Sequence, residues 1–209
     1  LRTLIIPHGI NKNVKINLFN KEKNILFVGK LNHAKGYHIF AEAALKFKKI
    51  DPSWNFIAIG NESRKEIFPE KNIVKEIGYK KNSDVLEYYT KSEIAIGNSV
   101  WDEPLGRIAI EASSRKCLPI ISNKGGLAES KNIALVLKNN NSTELVDILK
   151  KITKNKFLRR QKQKLFYKNN NFDIKTISRM LDSARSKIIK NQNNKYVSKK
   201  KKNFTHCKF

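Results

Sequence analysis

The densest chemistry in this sequence lies in Ser99 to Ala112, SVWDEPLGRIAIEA, where two carboxylates, Glu103 and Glu111, bracket a proline and a glycine. Pro104 suits the first position of a helix, because its missing N–H would be unpaired there anyway. The pattern therefore predicts a helix from Leu105 to about Lys116. Free N–H groups of Leu105, Gly106 and Arg107, with the helix dipole, would make a ready site for a phosphate. Gly106 would let that phosphate come close. Glu111 would sit two turns inside, among Ile108, Ala109, Ile110 and Ala112. A buried carboxylate in such company is costly alone, so it needs hydroxyls or a cation. Two readings stand side by side: a buried group that binds hydroxyls, or a surface Glu paired with Arg115 at i+4. Glu103, just ahead of the helix, could meet a second set of hydroxyls or simply favour the dipole.

A second stretch, Val28 to Tyr37 (VGKLNHAKGY), puts Gly29, Lys30 and Lys35 on a loop that enters a helix at Gly36. Two cations at a helix amino end suit a pyrophosphate. In a chain with 35 lysines the pair alone is unremarkable. The loop is neither a dinucleotide-binding GxGxxG nor a GxxxxGK[ST] phosphate loop. The four histidines, His8, His33, His38 and His206, show no metal-ligand spacing. Cys117 reads as a small core residue and Trp101 as a loop-packing one.

The elements that must position these groups alternate. Runs at Asn24–Val28, Asn55–Ile59, Ile73–Ile77, Glu93–Ile96, Leu118–Ser122 and Ala134–Leu137 read as strands. Apolar positions between them fall at helical spacing, as at Ile39, Phe40, Ala43, Ala44 and Phe47, or Val85, Leu86 and Tyr89. Strict alternation implies right-handed βαβ crossovers and a parallel sheet of about six strands covered on both faces, a Rossmann-like three-layer α/β domain. Glycines recur at strand ends (Gly29, Gly60, Gly78, Gly97, Gly125 and Gly126), the edge where open parallel sheets bind ligands. Residues 1–23 read as an entering strand, Leu4 to Ile10, and a polar linker. Residues 24–154 form the Rossmann-like body, 155–190 two helices broken at Asn169 to Asn171, and 191–209 a basic disordered tail.

The chain carries a net charge of +25 on 209 residues. Residues 150–209 hold sixteen Lys and four Arg against two Asp, +18 of that total, so the body is only mildly basic. No run approaches the roughly 18 apolar residues of a membrane span. Two cysteines exclude a disulfide framework and a CxxC zinc site, and imply a reducing compartment. The chain opens at Leu1 without a readable targeting segment, as a fragment would.

Taken together these pieces resemble the donor-binding half of a family 4 glycosyltransferase. The resemblance rests on Glu103 and Glu111 in EPLGRIAIEA, the loop GKLNHAKG, the linker IPHGI, and Gly125, Gly126 and Glu129 as GGxxE; it covers roughly residues 1–185. It implies the carboxyl-terminal half of a GT-B fold and a retaining, metal-independent, hexosyltransferase-type enzyme that uses a nucleotide-diphosphate-sugar as substrate, with no cofactor. No DxD triplet of the metal-dependent transferases occurs. Carried over, Glu111 would bind the ribose hydroxyls, and Glu103 the sugar hydroxyls, as an orienting catalytic residue. Lys30, where the family usually has Arg, and Lys35 would neutralise the diphosphate beside Gly29. Amides at Leu105 and Gly106 would hold the β-phosphate or the sugar, and Ile77, Gly78 and Tyr79 would flank the base. The resemblance further implies a missing amino-terminal acceptor-binding domain, without which the fragment is inactive. The reducing compartment implied by the cysteines reads as cytoplasmic, and the basic tail suits peripheral contact with anionic membrane. The alternatives are a nucleic-acid-binding or anionic-membrane-binding module, or a GT-B sugar-nucleotide epimerase.

Overall fold

The structure is a computed structural model that describes residues 9–204 except Asn13 and Lys65, with side chains as far as residue 190. Its strands are β1 (Glu22–Val28), β2 (Asn55–Ile59), β3 (Val74–Glu76), β4 (Ser92–Gly97), β5 (Leu118–Ser122) and β6 (Leu135–Leu137). Its helices are α1 (Tyr37–Lys48), α2 (Asn82–Lys91), α3 (Arg107–Ser114), α4 (Ser142–Lys154), α5 (Lys156–Asn169) and α6 (Ile174–Phe204). All strand pairs are parallel, in the order β3-β2-β1-β4-β5-β6. This Rossmann order reverses between β1 and β4, and the crevice outside the carboxyl ends of those two strands is where such sheets bind ligands.

Strands covered on both faces read as continuous apolar runs rather than alternations. β1 shows this in Ile25, Leu26 and Phe27, all buried. Phe27 joins Tyr37, Phe40 and Phe56 in a cluster of rings 5.2–6.2 Å apart beneath α1. Leu26, one residue away and so on the opposite face, packs with Ile57, Val85, Tyr89, Ala95 and Ala112 under α2 and α3. The buried face of α1 repeats at helical spacing, Ile39, Phe40, Ala43, Ala44 and Phe47, as the sequence implies.

Two ionic devices fasten these elements. Lys21 is buried, and its ammonium donates to the carbonyls of Tyr89, Thr90 and Ser92 at 3.0, 2.8 and 2.8 Å, capping α2 where it turns into β4. Burial pulls its pKa down to about 8, so the cap remains a cation at neutral pH. Glu93, at the start of β4, receives Arg160 at 2.7 and 2.8 Å, Arg159 at 3.3 Å and Gln163 at 2.8 Å, which ties α5 to the sheet.

The chain divides into two compact units, and Ile10–Asn171 contains the sheet and α1 to α5. Gly9 and the residues from Phe172 onward belong to the second, where a Cβ on Gly9 would stand 3.0 Å from the Ile174 Cα. The unit boundary therefore falls at the asparagine run rather than after residue 154, and the two terminal helices lie in different units. Most of the expected entering strand, Leu4 to Ile10, lies outside the described residues; Ile10 makes only an isolated bridge. The expected disordered tail is corrected in part, since α6 continues to Phe204. Lysine and glutamine are good helix formers, and the disorder reading weighed packing partners rather than backbone preference. Residues 205–209 lie outside the described residues. No described helix is long and apolar enough to cross a membrane.

Candidate functional site

The loops that leave β1 and β4 meet at the point where the strand order reverses. The Val100 amide donates to the Ala34 carbonyl at 2.9 Å, and Asn98 Nδ2 to the Gly36 carbonyl at 2.9 Å. A Cβ on Gly36 would collide with the Asn98 carbonyl, and Gly36 has a left-handed φ of 76°, so the close approach needs glycine. Gly29, Gly60 and Gly78 continue this edge across β1, β2 and β3: a Cβ on Gly60 would strike the Gly29 carbonyl, and the Gly60 amide donates to the Gly78 carbonyl at 2.9 Å.

α3 starts later than its sequence predicts. Gly106, at φ 62°, is the residue that caps it, and the helix runs from Arg107 to Ser114 instead of Leu105 to about Lys116. The left-handed turn is imposed from outside. A Cβ on Gly106 would meet the Leu127 side chain, and Gly126 lies against Pro104 and Leu105 so closely that its own Cβ would stand 2.5 Å from the Pro104 carbonyl. The orphan amides are therefore those of Gly106, Arg107, Ile108 and Ala109; the Leu105 amide precedes the helix. Neither α1 nor α3 has a side-chain cap, whereas Asn141 and Asn155 cap α4 and α5. The paired glycines have a different role from a ligand loop. The Gly126 amide donates to the Glu103 carbonyl at 2.5 Å and the Gly125 amide to Asp102 at 3.0 Å, so they brace the backbone that carries Glu103.

Glu103 pairs with Lys35 at 3.0 Å and accepts the Ser99 hydroxyl. The Lys35 ammonium also stands 5.3 Å from the centre of the Trp101 ring. Trp101, expected to pack, keeps 47% of its surface exposed and carries that cation. Glu111 is buried rather than on the surface. Its cation is not Arg115. Helix α3 ends at Ser114, and Arg115 turns away to donate to the Asn11 carbonyl at 2.8 Å. Arg107, one turn earlier, reaches Oε1 of Glu111 at 2.8 Å, and Asn82 at the start of α2 donates to the same oxygen at 3.2 Å. Burial pushes the Glu111 pKa above the ordinary carboxylate value, against the pull of Arg107, Asn82 and Arg115.

The expected convergence of Lys30 and Lys35 takes a different form. Lys35 turns to Glu103, while Lys30 lines a groove of about 490 Å3 with Asn32, His33, Glu62 and Arg64. The amides of Lys35, Gly36 and Tyr37 point back to Asn32 and His33, closing the loop on itself. Beyond β3, Ile77 packs against the core, Gly78 takes a left-handed φ of 70° with open space at its Cβ position, and Tyr79 is 73% exposed. Cys117 is fully buried and its thiol is pushed up to about 12, as for an inert core residue. Among the described residues, no three His, Cys, Asp or Glu side chains gather as metal ligands.

Residues 10–171, well over half of the chain, match the family model described as Glycosyl transferases group 1. The chain belongs to this family. Spore coat protein SA of Bacillus subtilis (strain 168) is 31% identical to this group 1 chain over 121 residues, covering 52% of it and 32% of that protein. The structure of Anabaena HepE in complex with UDP and glucose superposes with a TM-score of 0.73 at 18% identity, covering 87% of this chain and 56% of that one. The C-terminal domain of a glycosyl transferase group 1 family protein from Francisella tularensis gives a TM-score of 0.70 at 20% identity, over 79% of this chain and 100% of that domain. At these identities the solved structures share the fold, that of the carboxyl-terminal half of a GT-B protein. The chain spans about a third of the length of the curated relatives it matches.

Proposed function

We propose that this chain is the donor-binding domain of a retaining glycosyltransferase that takes a hexose from a nucleotide-diphosphate-sugar. In this reading Glu111 accepts the ribose hydroxyls, and Glu103 orients the hydroxyls of the transferred sugar. Lys35, Lys30 and the amides at the start of α3, with Leu105 and Gly106 in the approach to it, face the diphosphate. Ile77, Gly78 and Tyr79 flank the base. The observation that supports the reading is the environment of the two acids: Glu103 beside Lys35 on the loops that leave β1 and β4, and Glu111 buried and held by Asn82 at the start of α2.

The chemistry needs this division. Breaking the bond from the sugar to the diphosphate leaves negative charge on the β-phosphate and positive charge on the sugar. Cations and oriented N–H groups at the phosphate therefore stabilise the transition state, a role that needs no metal. The acceptor hydroxyl attacks from the face the phosphate leaves, forming the new C–O bond as its proton passes to the departing phosphate oxygen, and configuration is retained. HepE is known in complex with UDP and glucose, which supports a nucleotide sugar as the ligand class. The chain spans about half the length of that protein, so an acceptor-binding partner half belongs to the proposal, as does poor turnover by the chain alone.

Titration of this chain, and of any longer protein containing it, with UDP, GDP and ADP tests the reading. One of the three binds, and Glu111→Ala loses it. If none binds, or if Glu111→Ala binds as well as the parent, the reading is wrong.

A further inference from the structure

Arg107 is the one charged side chain at the start of α3 that the site reading leaves without a task. It stands at the first helical position, 56% exposed at the side chain, with its guanidinium on a carboxylate that is only 9% exposed. Resting on the assignment of Glu111 as the ligand of the nucleotide hydroxyls, we propose that Arg107 is a positioning residue. It pins one carboxylate oxygen of Glu111 and supplies the charge that lets a buried carboxylate receive those hydroxyls.

The geometry argues this from the two oxygens. Oε1 already accepts Arg107 at 2.8 Å and Asn82 at 3.2 Å. Those two contacts come from different helices, α3 and α2, and they fix the plane of the carboxyl group. Oε2 then has the acceptor capacity for a vicinal diol, whose hydroxyls donate more strongly to an ionised, stationary oxygen than to a neutral one. The charged and titratable groups that face Glu111 are Arg107 on α3, Arg115 just beyond its end and Tyr89 on α2, with Asn82 as the polar neighbour. Tyr89 is fully buried, its hydroxyl pKa pushed upward by burial, so it remains neutral. Arg115 is committed to Asn11 and Ser114. Arg107 is thus the cation in contact, and its loss lets burial act on Glu111 with less opposition.

The test compares the parent, Arg107→Leu and Arg107→Lys for UDP, GDP and ADP affinity between about pH 4 and 8.5, a range that starts at the ordinary carboxylate value. An opposite charge at this distance shifts a carboxyl titration by about one pH unit or more. Arg107→Leu should therefore lose affinity at a pH about one unit higher than the parent, a roughly tenfold deficit in acid that narrows toward pH 8.5. Arg107→Lys should recover most of it. Ligand-free thermal unfolding gives a second readout. The penalty of Arg107→Leu should grow from acid to neutral pH and vanish in a Glu111→Gln background. Parallel pH profiles, or an equal penalty in the Glu111→Gln background, would overturn this inference while leaving the nucleotide site intact. A parent that binds none of the three nucleotides overturns both. A deficit for UDP that is the same at every pH and absent for uridine would also overturn the inference and make Arg107 a phosphate ligand instead.

Discussion

As a charged group held in the interior, Glu111 costs the fold around it stability at neutral pH. Its carboxyl is buried and its pKa is raised, so the native state binds a proton more readily than the unfolded chain. The stability this group contributes is therefore fully present below the ordinary carboxylate pKa and is lost as pH rises through the raised value. Glu111→Gln removes that loss. Arg107, left behind, is more than half exposed and costs little alone. The variant should melt above the parent at neutral pH. The gap should close in acid, and nucleotide affinity should fall at least tenfold; a pH series of thermal melts with matched titrations checks both. The apolar neighbours of Glu111 left burial and a surface pair with Arg115 both open. Its partner was not legible either, since Arg107 and Arg115 sit symmetrically at four residues on either side, and only the helix end at Ser114 separates them. Asn82 and Ser99 carried no sequence signal, because they reach their glutamates through the fold.

Among the elements, alternation of apolar runs with helical spacing was enough to place six strands and their covering helices, with ends displaced by one or two residues. The start of α3 was the exception. Pro104 is a sound helix opener, but a distant loop dictates otherwise: Leu127 and Gly126 press on Gly106, Pro104 and Leu105 and force the turn. Gly106→Ala should expose that constraint. Alanine pays for a left-handed φ and meets Leu127, so the variant should lose about 1–3 kcal/mol in denaturant unfolding, and nucleotide affinity should fall with the shifted amides. Glu93 offers the opposite contrast. Glu93→Ala leaves Arg159, 6% exposed at the side chain, without its carboxylate, which costs about 3–5 kcal/mol. It lies at the amino end of β4, away from the crevice, so any protein that remains folded at low temperature should bind nucleotide as the parent does.

For the molecule as a whole, charge was the least instructive global signal. Most of the +25 sits beyond the sheet, and residues 191–209 carry six Lys and no acid. Deleting them should leave nucleotide affinity within about twofold, because every residue assigned to the nucleotide belongs to Ile10–Asn171 and exposed charges are strongly screened at physiological salt. Retention on heparin or on anionic vesicles should drop in the same variant. The strand order, invisible to local pattern, became readable only once the glycine-ended strands were assembled around one reversal point. The contact between Lys35 and Glu103 has a consequence for traffic through that crevice. If Glu103 receives a hexose as proposed, its carboxylate is already engaged by Lys35, so an unattached monosaccharide meets an occupied partner. An incoming diphosphate can draw the ammonium away and free the acid at the moment its own sugar arrives. Abundant free hexoses would then be poor competitors, and only a sugar carrying its leaving group would open its own berth.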